Sequence, residues 1–300
     1  MIKKLCALAA CLAILAGFAP ALAQQASAPA EPLQVSVTFD ALREFTLAVG
    51  GDMVRVSVII PDGTEPHDFE PKAQDLVALS TAQLLIYNGL GMEAWVPQAV
   101  AAVDNPALTV VDASTGAEPI VNAGADVAEH GQYDPHLWLS PKGAQREAAN
   151  IRDALAAADP ANAAAYEANY AAFAGQLDAL INEYQMKFAA VSKHNFVTGH
   201  AAFGYLCRDF GLIQNSVEDV FAEGEPSAQQ LAELVDYCRK NGVTTIFAEE
   251  MASPDISATL ANEVGAQVKT IYTMESAEDS LTYLERMEAN LREIYESLSE

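Results

Sequence analysis

Residues 35–63 read VSVTFDALREFTLAVGGDMVRVSVIIPDG, and the reading of this stretch decides the fold. Val35 to Phe39 and Val54 to Ile60 are rich in β-branched and aromatic residues, and the second run is stopped by Pro61-Asp62-Gly63. Between them, Asp40 to Val49 can form a helix that Gly50-Gly51 ends. A strand, a helix and a second strand in so short a span make a βαβ unit. Largely apolar strands in such a unit belong to a parallel sheet covered by helices.

The rhythm continues outward. Gln74 to Thr81 reads as a helix, Leu84 to Tyr87 as a strand, Glu93 to Val103 as a helix and Leu108 to Val111 as a strand. Residues 115–134 lack periodicity and read as a loop. Ser140-Pro141 opens a helix with proline in its first turn, and Asp159-Pro160 opens another. In the latter, Tyr166, Tyr170, Phe173, Leu177, Leu180, Ile181, Tyr184 and Phe188 fall at steps of three and four, on one face. A helix from Ala161 to Val191 spans roughly 45 Å at about 1.5 Å per residue. It is either a rigid spacer along two lobes or a long core helix.

A second β/α series follows: strands at Phe196–Thr198, Thr244–Phe247 and Val268–Tyr272, with helices at Phe203–Phe210, Ser227–Asn241, Ser257–Val264 and Leu281–Leu298. Val217 to Phe221 is short and ambiguous. The expected fold is α/β, with two lobes, each a parallel sheet flanked by helices, joined by a long rigid helix. The segments are 1–23 signal peptide, 24–32 flexible lead-in, 33–158 N-terminal lobe, 159–192 linking helix and 193–300 C-terminal lobe.

The signal rests on Lys3 and Lys4, the apolar run Leu5 to Phe18, and the A-x-A site Ala21-Leu22-Ala23. Leu8-Ala9-Ala10-Cys11 resembles a lipoprotein processing box but lies inside the apolar run. The protein is therefore expected to be exported, to the periplasm or the outer face of the cytoplasmic membrane. Of its four cysteines, Cys207 and Cys238 lie outside the signal. They either form a disulfide or stay buried thiols. With 16 basic and 41 acidic side chains the chain carries a formal charge of −25. Such a charge repels nucleic acid and anionic membrane surfaces and is compatible with attracting cations.

Five histidines occur, and three of them stand beside turn signals: His67 in Thr64-Glu65-Pro66-His67, His136 in Asp134-Pro135-His136, and His200 in Thr198-Gly199-His200. Neutral imidazole is a common metal ligand, and three with a carboxylate or open position suit zinc. His67, His200, the pair Glu249-Glu250, and Glu275 each follow an expected strand. In open α/β sheets that edge binds ligands. His130, on the 115–134 loop, and His194, expected at the surface, stand outside this pattern.

Four segments carry a family resemblance: residues 63–71 (GTEPHDFEP), 88–93 (NGLGME), 134–141 (DPHLWLSP) and 199–206 (GHAAFGYL). In this order they resemble the zinc and manganese substrate-binding proteins of ABC transporters, and within them the zinc-uptake, ZnuA-like branch. The resemblance runs from about residue 33 to the C-terminus. It implies two α/β lobes bridged by a long helix with one metal between them. Zn(2+) is then the bound cargo, with Mn(2+) as alternative, and a membrane permease of an ABC transporter is the partner. His67, His136 and His200 match the family's zinc histidines, and imidazole at the third position favours zinc over manganese. Glu275 stands near the family's fourth ligand, with Glu249, Glu250, Glu65 or a water as competitors. The 122–134 loop, with Asp126, Glu129 and His130, is short where zinc-branch relatives carry a His- and acid-rich stretch. The protein is expected to be a monomer, to bind no nucleic acid and not to be an enzyme. The weaker rivals are a secreted zinc hydrolase, against which stands the lack of an H-E-x-x-H motif, and an adhesin-like surface protein.

Overall fold

The computed structural model describes residues 31–122, 132–218, 227–249, 254–277 and 279–300. The signal segment, most of the lead-in, His130 and Glu250 lie outside the described residues. The first half comprises β1 (Leu33–Val37), α1 (Asp40–Gly50), β2 (Val54–Val58), β3 (Leu84–Tyr87), α2 (Val96–Val103), β4 (Thr109–Asp112) and α3 (Pro141–Ala158). Then comes α4 (Ala163–Ala190). The second half comprises β5 (Asn195–Thr198), α5 (Gly204–Phe210), β6 (Ile213–Ser216), α6 (Ala228–Asn241), β7 (Thr245–Glu249), α7 (Pro254–Val264), β8 (Gln267–Ile271) and α8 (Tyr283–Ser299).

Each half holds a four-stranded sheet, in the orders β2-β1-β3-β4 and β6-β5-β7-β8. Every pairing is parallel, so all four strands of a sheet end on the same edge. In both, the second strand in sequence lies on the far side of the first, and the chain then returns past it. That reversal leaves a crevice at the carboxyl edge, where open α/β sheets take ligands.

One expectation needs correction and one strand is added. Gln74–Thr81 is not a helix but a run of turns with a short 3-10 segment at Val77–Ser80. The backbone there closes in three-residue steps (the amides of Asp75, Val77 and Leu79 donate to the carbonyls of Lys72, Gln74 and Leu76), and Val77 points outward at 66% exposure. In the second half a strand forms at Ile213–Ser216, where none was expected, just before the ambiguous Val217–Phe221, of which 219–221 lie outside the described residues.

Helix α4 runs for 28 residues, about 42 Å. Its stripe is buried as expected through Tyr166, Phe173, Leu177, Ile181, Tyr184 and Phe188. Phe173 stacks near Phe45 of α1 (5.8 Å between ring centres), whereas Phe188 meets Phe210 of α5 (5.4 Å) and Tyr295 of α8 (6.2 Å). One helix thus packs on both halves, and one hydrophobic core runs through it from Val35 and Phe45 to Phe196 and Phe247. Smaller clusters stay within each half.

Cys207 and Cys238 are buried free thiols. Burial pushes them up to about 12 and about 11, so they stay protonated and inert. No described helix is long and apolar enough to cross a membrane.

Candidate metal centre

The four donors arrive from four separate connections. His67 lies on the turns that follow β2. His136 precedes the 3-10 turn Leu137–Leu139 that leads into α3. Ser140 caps that helix by accepting from the Lys142 amide, and a side chain at Gly143 would collide with the Leu137 carbonyl. The helix start is thereby pressed against the His136 turn. His200 follows β5 and Glu275 follows β8.

These parts of the chain meet at one point. His136 Nε2 is 3.1 Å from His67 Nε2 and 3.3 Å from His200 Nε2. One donor atom from each of His67, His136, His200 and Glu275 lies within 4.8 Å of every other. Tetrahedral zinc with bonds of about 2.0–2.1 Å sets its nitrogens roughly 3.3 Å apart. The two closest pairs already sit at that spacing. Three of the four residues are buried (His136 0%, His200 5%, Glu275 4%), while His67 is half-buried.

Burial sets the protonation. It pushes His136 down to about 3, and it pushes His200 well below its ordinary value, helped by the neighbouring His136 and His67 rings. Both rings are therefore neutral at physiological pH, the form a metal requires.

Each of these rings has a carboxylate behind it. Asp134 Oδ1 accepts from the backbone amide of His136 and approaches its ring Nδ1, both at 2.9 Å. Burial raises Asp134 to about 7, while the hydrogen bond from the His136 amide works against the rise. Glu249 Oε1 accepts from the His200 amide at 3.0 Å and lies 3.7 Å from its Nδ1. A side chain at Gly199 would run into that carboxylate and push it aside.

Glu275 follows Met274, whose φ of 60° is strained for a non-glycine residue. The loop is held from several sides. Thr273 Oγ1 donates to Glu275 Oε2 (3.1 Å), the Asp40 amide donates to the Glu275 carbonyl (3.3 Å), and Arg286 Nη1 donates to the Ser276 carbonyl (3.1 Å). Arg286 is itself paired with Asp40 at 2.9 Å in the interior.

Among the expected competitors, Glu249 stands behind His200 instead of in the donor cluster. Glu65 Oε1 accepts from the His67 amide at 3.3 Å within its own turn. Expected at the surface, His194 is half-buried and sits at the opposite end of β5 from His200. The reading of the sequence did not assign Asp134 a role. The signal lay in the spacing Asp134-Pro135-His136, since an Asp side chain commonly accepts from the amide two residues on.

The geometry agrees with the comparisons. Residues 35–297 match the sequence profile of the family described as zinc-uptake complex component A, periplasmic. The chain belongs to this family. It is thus a zinc-binding substrate-binding protein of an ABC transporter, not an enzyme. A protein of Treponema pallidum, named for metal binding, is 45% identical over 278 residues, covering 90% of this chain and 88% of the relative. The high-affinity zinc uptake system protein ZnuA of Bacillus subtilis is 34% identical over 287 residues (91% and 90%). Against the zinc-binding lipoprotein AdcA of Streptococcus pneumoniae the identity is 35%, but the chain spans only 54% of that relative's length. A crystal structure of a ZnuA deletion mutant with zinc bound superposes with a TM-score of 0.80 at 32% identity, covering 90% of this chain and 99% of that one.

Proposed function

We propose that His67, His136, His200 and Glu275 hold the zinc ion, three imidazoles and one carboxylate replacing its waters. The observation that carries this reading is the convergence of four distant donors within 4.8 Å at the shared strand-end edge. Three nitrogens to one oxygen favour zinc over manganese, which prefers harder oxygen donors. The working units are the lobes 33–158 and 193–300 with the linking helix 159–192 between them. The protein acts as a monomer outside the cytoplasm, in the periplasm or on the outer face of the membrane, captures zinc with high affinity and yields it to a membrane permease. A helix packed on both halves opposes wide hinge opening, so capture and release proceed by movement of the donor loops.

The test is elemental analysis with equilibrium competition between zinc and manganese, run on the native chain and on His67→Ala, His136→Ala, His200→Ala and Glu275→Ala. The native chain should retain one zinc and prefer it over manganese. Each histidine variant should bind zinc far more weakly. Native affinity in any two histidine variants would contradict the assignment.

A further inference from the structure

We propose that Asp134 and Glu249 are positioning residues that aim His136 and His200 and thereby set how tightly zinc is held; the proposal rests on the ligand assignment above. Metal-bound histidines commonly give their second ring nitrogen to a carboxylate, which fixes tautomer and orientation and strengthens the ligand.

The contacts of Asp134 fit that role. Its Oδ1 already accepts the His136 amide hydrogen, so it meets the ring as an acceptor. The Nδ1 it approaches at 2.9 Å must then carry the hydrogen. That leaves the Nε2 lone pair facing the other two imidazoles. Asp134 is in turn fixed by its backbone: its amide donates to the Ile120 carbonyl (3.0 Å) and its carbonyl accepts from Tyr205 Oη (2.6 Å). A side chain on Gly204 would press on its Oδ2, so α5 packs directly against the carboxylate. Asp134 is 3% exposed, which keeps water from competing for the ring hydrogen.

Glu249 does the same work more loosely in the other half. It ends β7, the neighbour of β5, and reaches 49 residues back along the chain to grip the His200 amide. The ring contact at 3.7 Å is a charge contact, too long for a hydrogen bond. Glu249 therefore fixes the turn that presents His200, whereas Asp134 fixes both turn and ring.

Histidine-selective nitrogen NMR on the native apo protein reads the first claim without any substitution. His136 should be the Nδ1–H tautomer, and the Nε2–H tautomer would overturn the role of Asp134. Zinc competition on Asp134→Asn and Glu249→Gln reads the second. Each should weaken zinc binding about 10–100-fold, Asp134→Asn more than Glu249→Gln. In Asp134→Asn the His136 tautomer should become mixed. Melting curves of the apo variants identify any that fail to fold; for such a pair the native tautomer decides. Folded variants that bind zinc within twofold of the native chain, with the tautomer unchanged, would overturn the proposal. A His136→Ala variant with native affinity would instead sink the ligand assignment itself, which keeps the two failures distinct.

Discussion

Two sides of the site hold their donors differently, although the halves behind them share one strand order. On the His136–Glu275 side the halves are stitched together. Trp138 Nε1 donates to the Thr273 carbonyl (2.7 Å), Tyr283 Oη donates to the Trp138 carbonyl (2.6 Å), and Arg286 pairs with Asp40 (2.9 Å). On the other side the loop that leads to His67 is tied across at its start, where the Gly63 amide donates to Ser276 Oγ (2.8 Å) and Asp62 Oδ1 accepts from the Ala277 amide (3.2 Å), and the half-buried His67 itself sits on turns closed by the bonds Thr64 to Pro61 and Phe69 to Pro66. Equivalent sheets thus bring donors to one edge, but cross-links between the halves decide which donors are fixed before zinc arrives. His136 and Glu275 form the prepared wall, and His67 is the donor best placed to move.

The largest expected effect is on the wall itself. Trp138 is fully buried, packs on Phe39 (4.7 Å between ring centres) and bonds across the halves. Trp138→Ala should destabilise the apo protein by about 3–5 kcal/mol, read by denaturant melts. A loss under 1 kcal/mol would mean the stitching matters little.

Next comes the contrast between donors. His136→Ala should weaken zinc binding by more than about 100-fold, beyond the 10–100-fold typical of losing a supporting partner. His67→Ala should cost less, because the prepared donors remain. Equal losses in competition titrations would erase the distinction drawn here.

Glu147 tests the interior beneath the wall. It is fully buried on α3, and neither carboxylate oxygen has a hydrogen-bond partner among the described residues. Burial, then the charges of Glu93 and Asp112, push it well above its ordinary 4.5. The folded protein therefore keeps a proton that the unfolded chain releases as pH rises above about 4.5, and stability falls with rising pH. Glu147→Met should raise apo stability by about 1–3 kcal/mol at pH 7, with the gain shrinking below pH 4.5. Glu93, raised to about 7 chiefly by burial, contributes a slope of the same sign that the variant retains.

The smallest effect is the pH response of zinc capture. Three ordinary imidazoles titrating near ~6.5 would lose several hundredfold in affinity between pH 7 and about 5.5. With His136 down at about 3 and His200 well below its usual value, the loss should be under about tenfold, at most one ordinary imidazole's share. A several-hundredfold loss would contradict the burial of these rings. The buried His136 adds to the apo fold a contribution opposite in sign to that of Glu147, one that is lost as pH falls from about 6.5 toward 3. Over that range unfolded histidines take up protons that the buried ring of His136 refuses.

Much of this was legible in the sequence because its signals are local. The α4 stripe, the strand at Leu84–Tyr87 and the proline-flanked histidines need only short windows. What was not legible depends on partners far along the chain. Ile213–Ser216 carries Gln214 and Asn215, poor strand formers, and becomes a strand only by pairing with β5. Gln74–Thr81 has helical composition but closes through successive turns. Glu249 looked like a ligand because it follows a strand; its actual neighbour is the amide of His200, which no spacing rule reveals. Asp134 was in plain view beside His136, but its burial comes from α5, about 70 residues away.

X-ray absorption at the zinc edge of the loaded protein tests the central claim most directly. Three imidazole nitrogens and one carboxylate oxygen at about 2.0–2.2 Å are predicted, with one imidazole lost in His136→Ala. A sulfur scatterer, or a spectrum with fewer than three imidazoles in the native chain, would contradict the account.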